Sequence, residues 1–199
     1  MNHVERFQAL MSFQPVDRLP RIEWASWWDA TIARWHTEGL PARLTDRYEI
    51  AAWFGLDPYY QARITARGPG FPSMAQGQGP VATMGDYEAL LPELYPPQER
   101  SLAELARWGT RQAHGDAVVW MSLDGFFWYP RTLFGIQSHL MAFYDAPELM
   151  LRMNADLAEY HLRLIEQVAR ICHPLFMTFA EDMSYNKGPM LSRALFDTF

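Results

Sequence analysis

The sequence predicts an α/β protein, and three observations carry that prediction. Short apolar runs alternate along the chain with longer stretches of helical periodicity. One run, AVVWMSL (117–123), is β-branched and apolar almost throughout, as a strand covered on both faces should be. The 199 residues are 49% hydrophobic, enough for one domain, 1–199, with a real core. Strands alternating with helices imply a parallel sheet with right-handed crossovers. The clear apolar strands number about three, whereas a closed eight-stranded barrel needs roughly 250 residues. This chain is too short to close one alone.

Taken in order, residues 3–13 set Val4, Phe7, Leu10 and Met11 at helical spacing. Pro15 and Pro20 bracket a turn, and RLPRIEW (18–24) reads as a first strand. WWDATIARWHTEG (27–39) reads as a helix stopped by Gly39 and Pro41, and 44–55 as another stopped by Gly55. Residues 57–85 change character. GPGFPSMAQGQGP (68–80) is loop-forming, no Asp or Glu falls between Asp57 and Asp86, and ARIT (62–65) and PVATM (80–84) suggest short strands. A loop or lid excursion is the reading. Residues 86–113 are helical apart from LYPP (94–97). Beyond the strand at 117–123, helical pattern returns at 131–143 and again over 147–171, the longest periodic segment. LFMTFA (175–180) reads as another buried strand, and SRALFDTF (192–199) opens a helix.

Composition excludes several classes of function. The net charge is −6 with no basic run, which argues against nucleic acid. The single Cys172 rules out an internal disulfide framework and fits a reducing compartment. Glu5, Arg6, Asp17 and Arg18 interrupt the N-terminus, so it is no signal peptide, and no run of about 18 apolar residues offers a membrane span. The expectation is a soluble cytoplasmic protein. Cys172 and His173 are adjacent rather than at metal-ligand spacing, and His36, His114, His139 and His161 stand alone on helices or loops. They are assigned to surface or helix-face roles.

The chemistry is expected where LFMTFA stops at Glu181 and Asp182. Carboxylates at the C-terminal end of a parallel strand can act as base, acid or cation partner. Neighbouring strand residues point to opposite faces, so only one of the two should face a mouth. The alternative is structural: pairing with an arginine or with loop amides. Gly125 with Phe126, Phe127, Trp128 and Tyr129 follows the 117–123 strand and is a pocket candidate. Trp24, Trp27 and Trp28 either line an apolar mouth suited to a planar ring or pack under the next helix. Asn186 and Lys187 occupy the loop after the acids, whose default is a solvated turn.

Four segments resemble, in family order, the uroporphyrinogen decarboxylase superfamily, which also contains cobamide-dependent methyltransferases. They are ERFQALMSFQPVDRLPRIEW with WWDATIARWHTEGLP, YEIAAWFGLD, SLDGFFWYPRTLFGIQSHLMAFYDAPELM, and AEDMSYNKGPMLSRALF. The resemblance implies a (β/α)8 TIM barrel, of which this chain covers the N-terminal portion. It also implies catalytic roles for Asp182 and Glu181, and substrate contacts from Arg131, Tyr129, Phe127, Trp24 and Asn186. The implied partners are a tetrapyrrole or corrinoid ligand and a corrinoid protein; the open parallel edge of an incomplete barrel separately suggests pairing with a second copy of the chain.

Within the superfamily, the decarboxylases carry an Arg-Gln-Ala-Gly-Arg-like motif where this chain reads Arg21-Ile22-Glu23-Trp24-Ala25-Ser26-Trp27. They also use an aspartate shortly after the segment matching Gly55-Leu56-Asp57, where the acid-free run leaves no candidate, and a tyrosine where Arg131 stands, with Tyr129 close by. The pattern therefore looks more like a corrinoid-linked methyltransferase. The zinc of that branch is expected only if its His-x-Cys and later Cys lie beyond Phe199. Two alternatives remain: porphyrinogen decarboxylation with Arg21, Arg34 and Arg131 as substitutes, and an inactive fragment or pseudoenzyme that associates with itself.

Overall fold

The computed structural model describes all residues, Met1–Phe199. The elements run α1 (His3–Met11), α2 (Asp29–Thr37), α3 (Arg47–Trp53), β1 (Tyr59–Arg63), α4 (Met84–Leu90), a 3-10 turn (Leu91–Glu93), α5 (Glu99–Ala113), β2 (Val118–Asp124), α6 (Trp128–Phe134), α7 (Ile136–Asp145), α8 (Pro147–Ala169), β3 (Phe176–Ala180), β4 (Ser184–Tyr185), β5 (Gly188–Pro189) and α9 (Arg193–Thr198). They form two compact units. The first comprises Met1–Ala62, Ala103–Trp120 and Cys172–Phe176; the second comprises Arg63–Leu102, Met121–Ile171 and Met177–Phe199.

Three strands make one sheet in the order β1-β2-β3. Its direction follows from the hydrogen bonds at the strand ends. Val118 N–H donates to Pro58 C=O and Ile64 N–H to Ser122 C=O, so partner numbers rise together. Leu175 N–H to Val119 C=O and Gly125 N–H to Ala180 C=O repeat the pattern on the other side. The sheet is therefore parallel. β2 lies in the middle with Val118–Leu123 all buried, as its unbroken apolar pattern requires. No helix is long and apolar enough to cross a membrane.

Polar clamps organise the first unit. Asn2 and Glu5 form a capping box at the start of α1. Arg6 donates to Asp17, and Arg18 makes two hydrogen bonds of 2.8 and 2.7 Å to the buried Asp57, which also accepts Arg21 N–H. These bonds hold residues 18–21 as extended coil. The strand expected at 18–24 is absent: Pro20 lacks a ladder donor, and Leu19, Ile22 and Trp24 stay exposed with no strand beside them. The first strand is Tyr59–Arg63, where Tyr60 stacks on Trp108 of α5 and meets Tyr48 of α3 edge-on. Cys172 is buried with its Cβ against Gly109.

In the second unit, α8 buries Met150, Met153, Leu157, Leu164 and Val168 along one face. The segment PVATM forms no strand, because Thr83 instead caps α4 in a capping box with Asp86. The expected lid over 57–85 contains β1 itself, and its glycine-rich part is tied down. Ile136 N–H donates to Gly77 C=O and Val81 N–H to Leu133 C=O, pinning the loop on the α6–α7 junction. LFMTFA is a strand but not a buried one. It lies at the sheet edge, and Met177 and Phe179 are each 42% exposed.

Glycine is required at 79, since a Cβ there would overlap the Leu133 carbonyl and the Gly135 nitrogen. Gly79→Ala should cost about 1–3 kcal/mol in urea unfolding. Gly85→Ala in α4, with only the Thr83 hydroxyl nearby, should be neutral or stabilising by up to about 1 kcal/mol. Equal effects at both positions would contradict the pinned loop.

Candidate strand-end site

The C-terminal ends of β1, β2 and β3 fall in the second unit, and each supplies polar groups. After β1, the Thr65 hydroxyl and Ala66 N–H donate to one Asp124 oxygen, at 3.0 and 2.8 Å. Asp124 is the last residue of β2, and its carboxylate ties the β1 and β2 ends together. After β3, the Glu181 carboxylate reaches the start of α6, accepting Phe127 N–H at 3.1 Å and Trp128 N–H at 2.9 Å. It satisfies amides that the first turn of a helix leaves without partners. Gly125 is needed for this approach, because a Cβ there would overlap the Glu181 carboxyl group. Asp182 accepts from Arg131, also on α6, at 3.4 Å, and the Arg131 guanidinium lies over the Trp128 ring at 4.7 Å.

Both acids thus engage α6, contrary to the expectation that only one would face the site. β3 ends at Ala180, so strand alternation no longer governs residues 181 and 182. The structural alternatives raised by the sequence, loop amides and an arginine, are the partners observed: amides for Glu181 and an arginine for Asp182.

The remaining candidates scatter. Phe127 and Tyr129 are buried in packing rather than presented as pocket walls. Phe127 stacks on Phe143 and meets His139 edge-on, while the Tyr129 ring lies 5.9 Å from Tyr95 and its hydroxyl has no partner. Burial drives the Tyr129 hydroxyl far above its ordinary pKa, so it stays protonated. Trp24 belongs to the first unit and is 66% exposed; its carbonyl accepts from Arg47 and its ring faces Trp120. With no strand at 18–24, Trp24 marks no strand end. Asn186 sits with Lys187 in the two-residue turn of the β4–β5 hairpin, exposed and outside the strand-end group.

Two of the lone histidines take the helix-face role on the inward side of their helices. His139 and His161 are buried, and neither ring has a hydrogen-bond partner. His139 sits among Phe127, Phe134 and Phe143. His161 meets Phe126 and Phe179.

Three contributors escaped the sequence reading. Asp124 was hidden because the apolar run ends at Leu123, yet an acid directly after a buried strand was the available signal. Thr65 lies just past β1, at the end of the short strand the sequence suggested at ARIT, where it was not singled out. Tyr95 adopts a left-handed φ of 57° while its N–H donates to Ala66 C=O at the β1 end. Its hydroxyl meets that of Tyr87, which donates to the Asp156 carboxylate. Such a conformation in a non-glycine residue costs about 1 kcal/mol or more and persists only where surroundings enforce it.

No three His, Cys, Asp or Glu side chains converge to hold a metal ion. Compared with protein families, curated proteins and solved structures, the chain matches none.

Replacing Glu181 tests its structural part. Glu181→Ala should lower stability by about 1 kcal/mol and Glu181→Gln by less, since the amide keeps an acceptor; equal losses in denaturant midpoint would contradict the capping role. A second expectation concerns acid. Burial, aided by repulsion from Arg131, holds the His139 pKa down to about 4. The unfolded chain, titrating near 6.5, therefore binds the proton first. The stability is full above about pH 6.5 and is lost as pH falls towards 4, by up to about 3 kcal/mol. His139→Leu should flatten this slope between pH 7 and 4.5 in urea titrations, leaving the share of His161, whose pKa burial also lowers. An unchanged slope would contradict the assignment.

Proposed function

We propose that the three βα units belong to a (β/α)8 barrel of the uroporphyrinogen decarboxylase superfamily that acts in corrinoid-linked methyl transfer in the cytoplasm. The observation that carries this reading is the gathering of Asp124, Glu181, Asp182 and Arg131 at the C-terminal ends of consecutive parallel strands. Barrels of this type keep their active sites there.

Charge favours methyl transfer over decarboxylation. The strand-end group sets three carboxylates against one guanidinium, an unfavourable field for a ligand bearing many carboxylates. Of the arginines that would have to substitute, Arg34 is already paired with Glu38 on α2. A methylcobamide, when bound, would supply the methyl group. This chain's own part is to orient the ligand through a charged hydrogen bond from Arg131, with Asp182, released from that guanidinium, as the exposed carboxylate beside the reacting group. Glu181 and Asp124 hold the loops in place. The residues present do not fit a zinc ion, and no step is assigned to one.

A second reading, self-association, has an observation of its own. β3 is an edge strand whose Met177 and Phe179 are partly exposed, and such edges invite pairing.

The test is incubation with methylcobalamin and a thiol acceptor. Methyl transfer predicts a change in the cobalamin absorbance that Asp182→Ala weakens about tenfold or more. No change, together with loss of carboxylates from uroporphyrinogen by mass, would replace the reading with decarboxylation. Sedimentation as a dimer without either activity would leave self-association.

A further inference from the structure

Arg131 is a charged side chain with most of its hydrogen-bonding capacity unspent. Its side chain is only 19% exposed, yet its single hydrogen bond is the 3.4 Å contact from one Nη1 to Asp182. A guanidinium carries five N–H donors in a planar fork, and withdrawing it from water without partners is costly. The Trp128 ring covers one face at 4.7 Å, which fixes the plane and leaves the edge as the direction for donors. Asp182, 56% exposed, reaches that edge at a distance too long for a strong charged pair.

We infer that Arg131 is the anchor for a single carboxylate of a small ligand, and that Asp182 occupies its edge as an internal competitor when the ligand is absent. The ligand class follows from charge and shape. The group already seated on Arg131 is a carboxylate, so exchanging it for another preserves the local balance. A phosphate dianion would bring a second negative charge next to Asp182 and Glu181 with no second cation beside Arg131. A carboxylate also accepts two parallel N–H groups in the plane that Trp128 sets, a geometry a stacked arginine is suited to offer. On displacement Asp182 loses little, because it already faces solvent. The inference rests on reading the strand ends as a ligand site and not on methyl transfer.

The test uses butyrate and inorganic phosphate as probes at constant ionic strength, followed through the Arg131 Nε–H signal by NMR. Butyrate should shift this signal saturably. Asp182→Asn should tighten butyrate about two- to fivefold by removing the competitor. Arg131→Lys, which keeps the charge but not the fork, should weaken it about tenfold or more. Asp182→Asn changes an exposed side chain, so it remains decisive if the Arg131 variant fails to fold. An immobile Arg131 signal, unchanged or weaker butyrate binding in Asp182→Asn, or unaltered binding in Arg131→Lys would overturn the inference. Tighter binding of phosphate than of butyrate would overturn the carboxylate class. Butyrate binding without methyl transfer leaves this inference standing and removes the proposed reaction; methyl transfer with an unresponsive Arg131 does the reverse.

Discussion

Between Val118 and Leu123 every side chain is buried, so the β2 amides must find partners inside the protein, as Val119 N–H does at Gln112 Oε1 of α5. β1 and β3 pair with it, one on each side, both running parallel to β2. A parallel arrangement has a direct consequence for chemistry. All three chains leave the sheet at the same end, so whatever follows each strand is delivered to one place. Asp124, Thr65, and the pair Glu181 and Asp182 meet there because β2 must be covered on both edges, not because they attract one another.

The three carboxylates at that end carry different loads. Asp124 is spent on the β1 end and Glu181 on the α6 amides, so both are chiefly fasteners. Asp182 is the one left facing water, with a single weak tie to Arg131. α6 is thereby held at its start by one acid and touched along its length by the other, and Gly125 gives the space that makes this approach fit. The strained Tyr95, bonded to Ala66 at the β1 end, closes the same region from the other side. Structural fastening thus falls to two of three neighbours of like charge, and the third faces water.

Much of the fold was legible in the sequence. The β2 run, the long α8 stripe and the helix stops at Gly39 and Gly55 match the physical rules that produced them. RLPRIEW misled because its alternation of apolar and polar residues looks like a strand, while the ion pair from Arg18 to Asp57 lies 39 positions apart and no local pattern reveals it. LFMTFA gave the correct element with the wrong burial, since an apolar run says nothing of whether a second neighbour is present. At the site, Glu181, Asp182 and Arg131 were singled out and are brought together. Phe127 and Tyr129 were read as pocket walls because aromatic residues after a strand suit either role, and only packing distinguishes them. The buried histidines carried no signal: a lone imidazole in an aromatic nest looks, in sequence, like any helix histidine.

The central claim is that β2 is the covered middle strand of a parallel sheet, and native-state hydrogen exchange tests it most directly. Amides 119–123 should be among the slowest in the chain, exchanging only through global unfolding, with Ile64 and Gly125 protected beside them as ladder donors. Exchange of 119–123 as rapid as that of the exposed β4–β5 hairpin would contradict the account.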